Sequence, residues 1–334
     1  MATKVRCSAL YPLHNFSLNR YRFQELCSRQ ESHSDWMKET ILQTAYSGTV
    51  LVDTRLHLGE GPTYDVARDT AWWFDILGKG LIEHRFATGE TIRHDLPMMA
   101  SALATIDAER QMLATEQGIF IRTIASGELT LLTALEPERP GNRSNDGRVH
   151  PCGALWIGTM GKTAADGAGA IYHVAGDKVT RLYDSISIPN AICFSPDGSL
   201  GYYVDTRVNT LMKVSLDPAT GLPTGMPTVH IDGRGKDGGI DGAVCDAEGG
   251  LWNARWGVGA VDHYDRTGQH LARYRLPAAQ TTCPAFIGAK ADRLLVTSAT
   301  EGLDADGLAA DPHGGKTLVL DITVKGRHEP SFRL

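Results

Sequence analysis

The sequence predicts an all-β protein, a six-bladed β-propeller, on three observations. First, six segments stack on one another: "GEGPTYDVARDTAWWFDI" from Gly59, "ASALATIDAERQMLATEQG" from Ala100, "SNDGRVHPCGALWIGTMG" from Ser144, "PNAICFSPDGSLGYYVDTR" from Pro189, "IDGAVCDAEGGLWNARWG" from Ile240 and "TTCPAFIGAKADRLLVTSA" from Thr281. Each reads as a strand, a tight turn and a second strand. Second, each hairpin is followed by further short alternating runs such as "LIEHRFATGETIRHDL", giving about four strands per unit and a repeat of about 41 to 51 residues. Third, no convincing amphipathic helix interrupts residues 49–334. Four-stranded units of this length match radial sheets around a central channel.

Composition bounds the rest. The chain has 334 residues, 42% hydrophobic and 22% charged, enough for a large core in a soluble globular protein. A net charge of −6 without a basic stripe argues against nucleic acid or an anionic membrane as the main partner and favours a small ligand. No run approaches the length of a membrane-spanning helix. The cysteines at 7, 27, 152, 193, 245 and 283 form no C-x-x-C pair. Cys193 and Cys245 sit in apolar strand-like runs and read as small core residues, which fits a reducing, cytoplasmic compartment.

Taken in order, residues 1–36 are rich in Arg and Ser, poor in acids and without an apolar signal core. They read as an extension, disordered or upstream of a true start at Met37, before a single domain over residues 37–334. "TVLVDTRL" is expected to close the ring against the last blade and remove its exposed edge. "VARDT", "SPDGS" and "DAEGG" supply turn chemistry, so Asp65, Asp197 and Asp246 are expected to be solvated turn acids. Trp72, Trp73, Trp156, Trp252 and Trp256 end second strands and are expected between blades, with one available to the pocket mouth. "GRGKDGGIDG" lacks the order of a phosphate-binding loop, and no G-x-S-x-G or H-E-x-x-H motif occurs.

Aligned on their turns, the six units begin with Glu60, Ser101, Asn145, Asn190, Asp241 and Thr282, all oxygen bearers. In a propeller these positions ring one channel mouth. A second polar set, Asp75, Glu116, Thr159, Asp205 and Thr297, follows about fifteen residues later, and a hairpin of two short strands returns it to the same level. Carboxylates crowding one rim repel each other, and a hard divalent cation offsets that. Glu60, Asn190 and Asp241 are the expected ligands. One cation is expected, Ca²⁺ first, with Mg²⁺, Mn²⁺, Zn²⁺ or Fe²⁺ as alternatives. Gly59 and Gly61 would let the backbone aim Glu60 into the channel.

The segments "GEGP", "NRSNDGRV", "LWIGTMG", "PNAICFSPDG", "DGAVCDAEGGLW" and "GGKTLVLD" resemble the gluconolactonase, regucalcin and senescence marker protein family, in order over about residues 49–330. The resemblance implies a six-bladed propeller that hydrolyses sugar lactones with one divalent metal. Residue by residue, it implies Glu60, Asn190 and Asp241 as metal ligands and Arg143 and Asn145 as contacts to substrate hydroxyls. An acidic substrate contact of some animal members has no counterpart in "GKTAADGAGA".

The expected reaction is the opening of an aldonolactone, with Asp241 as general base for the attacking water. Glu116 and Asp146 are expected to touch substrate, and Asp205 and Asp75 to support the ligands from behind. Loops 160–170 and 301–315 are expected to cover the pocket, and the protein to be a monomer or a weak homo-oligomer. Two rivals stand beside this reading. One is a calcium-binding regulatory protein without catalysis; the other is a propeller esterase or phosphotriesterase with an apolar pocket.

Overall fold

A computed structural model describes residues 41–334; the expected extension over residues 1–36, with Cys7 and Cys27, lies outside the described residues. Six sheets follow one another along the chain, and in each the first three strands run antiparallel from the inner strand outward. Their inner strands are Gly59–Asp65, Ala100–Thr105, Asn142–Val149, Pro189–Phe194, Gly239–Cys245 and Thr281–Ile287 for blades 1 to 6. Consecutive inner strands pack side by side, and the sixth packs against the first, which closes the ring.

The burial of the strands explains what the sequence could and could not display. The second strand of blade 1, Thr70–Asp75, is buried at every residue because a neighbouring blade covers each face. Its outer strand, Glu90–Asp95, is exposed or half-buried throughout. Trp72, Trp73, Trp156 and Trp252 are buried, as expected for packing between blades. Trp156, for example, joins Ile171, Phe194 and Tyr203 between blades 3 and 4, where each such side chain contributes about 1.5–3 kcal/mol by leaving water.

Closure follows the expected route. Gly48–Val52 pairs antiparallel with Thr317–Leu320 and supplies the fourth strand of blade 6. A second addition was not legible: Leu42–Thr44 pairs parallel with His270–Arg275 and gives blade 5 a fifth strand. A short helix, Ala305–Ala310, N-capped by Asp304, interrupts blade 6 after its second strand.

The chain after blade 6 crosses the ends of the inner strands opposite the polar ring. Gly326 N donates to Ala291 O (3.1 Å), Arg327 Nη2 to Phe194 O (2.8 Å) and Phe332 N to Thr105 O (2.9 Å). Phe332 is buried in the core of blades 2 and 3, and Glu329 faces the buried Arg148 at 3.4 Å. This tail floors the channel.

Two of the three turn acids depart from expectation. Asp197 is exposed, but Asp65 and Asp246 are buried. Asp65 accepts from Ala67 N and from Arg68 Nη1 (2.7 Å), and Asp246 from Gly250 N (2.8 Å) and Trp252 Nε1 (3.0 Å). Donors from the turn and the adjacent strand take the place of water. Cys193 and Cys245 are buried and unpaired, in line with a core role.

Candidate functional site

Every inner strand carries one extra residue at the level of the polar ring. Register shifts between Glu60 and Thr63, Asn190 and Cys193, and Ile240 and Ala243, with counterparts in the other three blades. A bulge bends a strand and re-aims a side chain, which turns ring residues toward the channel. Gly61 follows Glu60 with φ +59°, and a Cβ there would lie 2.1 Å from Ser101 O; a Cβ on Gly59 would lie 2.5 Å from Ser298 O. Both glycines around Glu60 are therefore demanded by the close approach of neighbouring blades, and Gly61 by its backbone conformation as well.

Glu60, Arg143, Asn145, Asn190 and Asp241 all line one cavity of about 450 Å³. The other two ring residues are engaged between blades. Ser101 Oγ donates to Ser144 Oγ (2.7 Å), and Thr282 Oγ1 to Gly59 O (2.5 Å).

A chain of hydrogen bonds links the cavity wall across three blades. Arg143 Nη1 donates to Asn145 Oδ1 (2.7 Å), Asn145 Nδ2 to Asn190 Oδ1 (2.8 Å), Asn190 Nδ2 to Thr206 Oγ1 (2.9 Å), and Thr206 Oγ1 to Ile240 O (2.7 Å). The last carbonyl precedes Asp241. Arg143, Asn145 and Asn190 are thus held in single orientations before any ligand arrives.

The surroundings of the cavity's acids oppose their ionisation. Burial, reinforced by the charge of Asp146, pushes the Glu60 carboxyl up to about 8. Burial and the nearby charges of Glu60 and Asp146 raise Asp241 as well. Asp146 is itself raised by burial. Among the described residues no three His, Cys, Asp or Glu side chains are grouped to hold a metal. Glu60 and Asp241 become a three-donor set only through the amide oxygen of Asn190. Two buried carboxyls whose ionisation is opposed by burial and mutual repulsion, together with one amide oxygen facing the same cavity, fit a hard divalent cation.

The remaining expected site residues lie elsewhere. Asp75, Glu116 and Asp205 share the expected level but turn to the peptides that connect blades. Asp75 Oδ1 accepts from Leu58 N (3.0 Å), Glu116 Oε1 from Met99 N (2.9 Å), and Asp205 from Ser187 N (2.8 Å) and Ile188 N (3.0 Å). None of the three lines the cavity. The expected crowding of carboxylates at the rim is therefore corrected, because backbone N–H groups at the entries to blades 1, 2 and 4 claim those acids. Asp75 and Asp205 steady the segments two residues before Glu60 and Asn190. Glu116 reaches the cavity only through Lys162, which it holds at 2.6 Å. Asp146 also lies outside the cavity lining and accepts from Ile192 N (2.7 Å).

Among the lining residues not singled out individually in the sequence are Met160, Lys162, Thr206 and Glu301. Lys162 and Glu301 belong to the loops expected to cover the pocket, and Trp256 is the tryptophan at its mouth. Thr206 carries no local signal.

Residues 58–300 match the sequence profile of the SMP-30/Gluconolactonase/LRE-like region. A protein of Rhizobium meliloti (strain 1021) named "Putative sugar lactone lactonase" is 58% identical over 86% of this chain and 98% of its own length. The L-arabinolactonase of Azospirillum brasilense is 34% identical over 87% of this chain and 97% of its own. The crystal structure of a calcium-binding protein, regucalcin, from Agrobacterium tumefaciens str. C58 superposes with a TM-score of 0.87 at 59% identity, covering 88% of this chain and 99% of that one. With a profile match of this extent, the chain belongs to the SMP-30/gluconolactonase/LRE-like family.

Proposed function

We propose that the protein hydrolyses a sugar lactone to its aldonic acid with the aid of one divalent cation, Ca²⁺ first among the candidates. One observation carries the reading: Arg143 and Asn145, the pair that the family resemblance implies as contacts to substrate hydroxyls, share a single cavity with the oxygen donors Glu60, Asn190 and Asp241. The lactonase names of the two relatives point the same way. The calcium-binding name of the structural neighbour supports the cation.

Glu60, Asn190 and Asp241 would hold the cation. When bound, it supplies a Lewis acid that polarises the lactone carbonyl. The chain's own residues do the rest. Arg143 and Asn145 orient the sugar through its hydroxyls, which lowers the entropy cost of reaching the reactive geometry. Asp241 accepts the proton of the water that adds to the carbonyl carbon, then returns it to the ring oxygen as the carbon–oxygen bond breaks.

The test is to strip the protein with chelator, restore Ca²⁺, Mg²⁺, Mn²⁺, Zn²⁺ or Fe²⁺ singly, and follow acid release from a panel of sugar lactones against the spontaneous rate. Metal-restored turnover is expected. Cation binding without turnover on any lactone would instead support the regulatory reading that the calcium-binding neighbour favours. The five charged lining residues, Glu60, Arg143, Lys162, Asp241 and Glu301, suit a polyhydroxylated substrate better than an aryl ester or phosphotriester, although Leu58, Met160, Ile188 and Trp256 make part of the wall apolar.

A further inference from the structure

Glu301 is the third acid of the cavity wall, and no family motif pointed to it. Its loop is pinned rather than free. Glu301 O accepts from Gln280 Nε2 (3.0 Å), while the preceding Thr300 donates through N to His57 O (3.0 Å) and through Oγ1 to Leu56 O (3.1 Å). The Glu301 carboxylate receives no hydrogen bond from any described residue, yet its charge acts on both Arg143 and Asp241. Its carboxylate is an unengaged acceptor in the wall of the pocket, carried on a backbone that these bonds hold in place.

Arg143 is its complement. The guanidinium spends Nη1 on Ser144 O and Asn145 Oδ1, and its other N–H groups have no partner among the described residues. A carboxylate only accepts and a guanidinium only donates, whereas a hydroxyl does both. A substrate hydroxyl near the two groups satisfies each at once.

The charge balance points to the same substrate. A divalent cation offsets Glu60 and Asp241, Glu116 offsets Lys162 at 2.6 Å, and Glu301 offsets Arg143. Among the described lining residues no positive charge is left over for an anionic substituent, and Glu301 repels one.

We propose that Glu301 is a specificity-determining residue whose carboxylate accepts a hydrogen bond from a substrate hydroxyl that Arg143 also contacts, selecting neutral polyhydroxylated lactones over deoxygenated or anionic ones. The proposal rests on the lactonase reading.

The test uses the metal-loaded full chain, wild type, Glu301→Gln and Glu301→Ala, with matched melting temperatures as the check on folding. kcat and KM are measured on an arabinono-1,4-lactone, on its 2-, 3- and 5-deoxy analogues, and on gluconolactone beside 6-phosphogluconolactone. Glu301→Ala is expected to lower kcat/KM on the parent lactone by about tenfold to a hundredfold, mainly through KM, but by less than about twofold on one deoxy analogue. Glu301→Gln is expected to relax discrimination against the phosphorylated lactone by about tenfold. Equal losses on the parent and every deoxy analogue, or unchanged discrimination against phosphate, would overturn the proposal.

Should the wild type turn over no lactone, the catalytic reading fails separately, and calorimetry with 1,4-anhydroarabinitol and its deoxy forms decides the subsite. Weaker polyol binding by Glu301→Ala, absent for one deoxy form, supports it; binding indifferent to Glu301 sinks it.

Discussion

The side-chain amide of Asn145 donates to Asn190 Oδ1 at 2.8 Å and ties the inner strand of blade 3 to that of blade 4 at the cavity wall. Asn190 in turn donates to Thr206 Oγ1, which donates to Ile240 O beside Asp241. The residues proposed to contact substrate and those proposed to hold the cation are therefore parts of one hydrogen-bonded unit.

Thr206 sits in the middle of that unit. Thr206→Val keeps the volume and removes the acceptor that orients the Asn190 amide. Cation affinity, read by calorimetric titration, is expected to fall about tenfold or more, in the range seen when groups behind a ligand are lost. Unchanged affinity would show that Asn190 does not depend on Thr206.

Glu60 and Asp241 are buried carboxyls whose charged forms the metal-free protein disfavours. Glu60→Gln and Asp241→Asn are expected to melt no lower than wild type in chelator, since each removes a source of repulsion. Both should lose the rise in Tm that the cation produces, together with turnover. Variants that melt well below wild type in chelator would make these residues structural.

Asp262 offers a test of stability away from the pocket. Fully buried, it accepts from Arg273 Nε (2.6 Å) and Nη2 (2.7 Å), with His270 Nε2 at 3.2 Å. Burial alone would raise its carboxyl, but these partners outweigh it and hold the group well below the usual carboxylate range. The sign follows: the contribution is fully present above the unfolded pKa of about 4 and is lost as pH falls through the lower folded value. Asp262→Asn is expected to cost about 3–5 kcal/mol at pH 7, because it leaves Arg273 without its countercharge. The gap from wild type, measured by urea unfolding, should narrow below about pH 4.

The tail is expected to be integral to the propeller. Phe332 is 1% exposed within the core of blades 2 and 3. Phe332→Ala should destabilise the fold by about 3–5 kcal/mol in denaturant unfolding. A loss below about 1 kcal/mol would mean that the tail merely lies against the floor.

Much of the fold was legible because a blade is a local object. Hairpin turns, four short strands and their repeat are written within about 40 to 50 residues, so counting six units needed no tertiary information. The closing strand Gly48–Val52 was legible for the same reason, as an extra strand before the first unit. The parallel strand Leu42–Thr44 was not, since three residues carry no pattern. Asp65 and Asp246 were misread because their sequence shows only turn chemistry, whereas their burial depends on Arg68 and on Trp252.

The sequence by itself determined the number of blades, the place of closure, and the shared register that brings Glu60, Asn190 and Asp241 to one channel mouth. A repeat that is regular along the chain is regular in space. Only the tertiary structure decided which acids face the cavity. Asp75, Glu116 and Asp205 share the level of the ring but bind the nearest blade-entry N–H groups, and Asp146 bonds to Ile192 N outside the cavity lining. Glu301 arrives from a loop outside the repeat, and Thr206 joins the wall through bonds to two neighbouring strands. These placements depend on which donor lies within about 3 Å once separate blades meet, a distance that no spacing along the chain encodes.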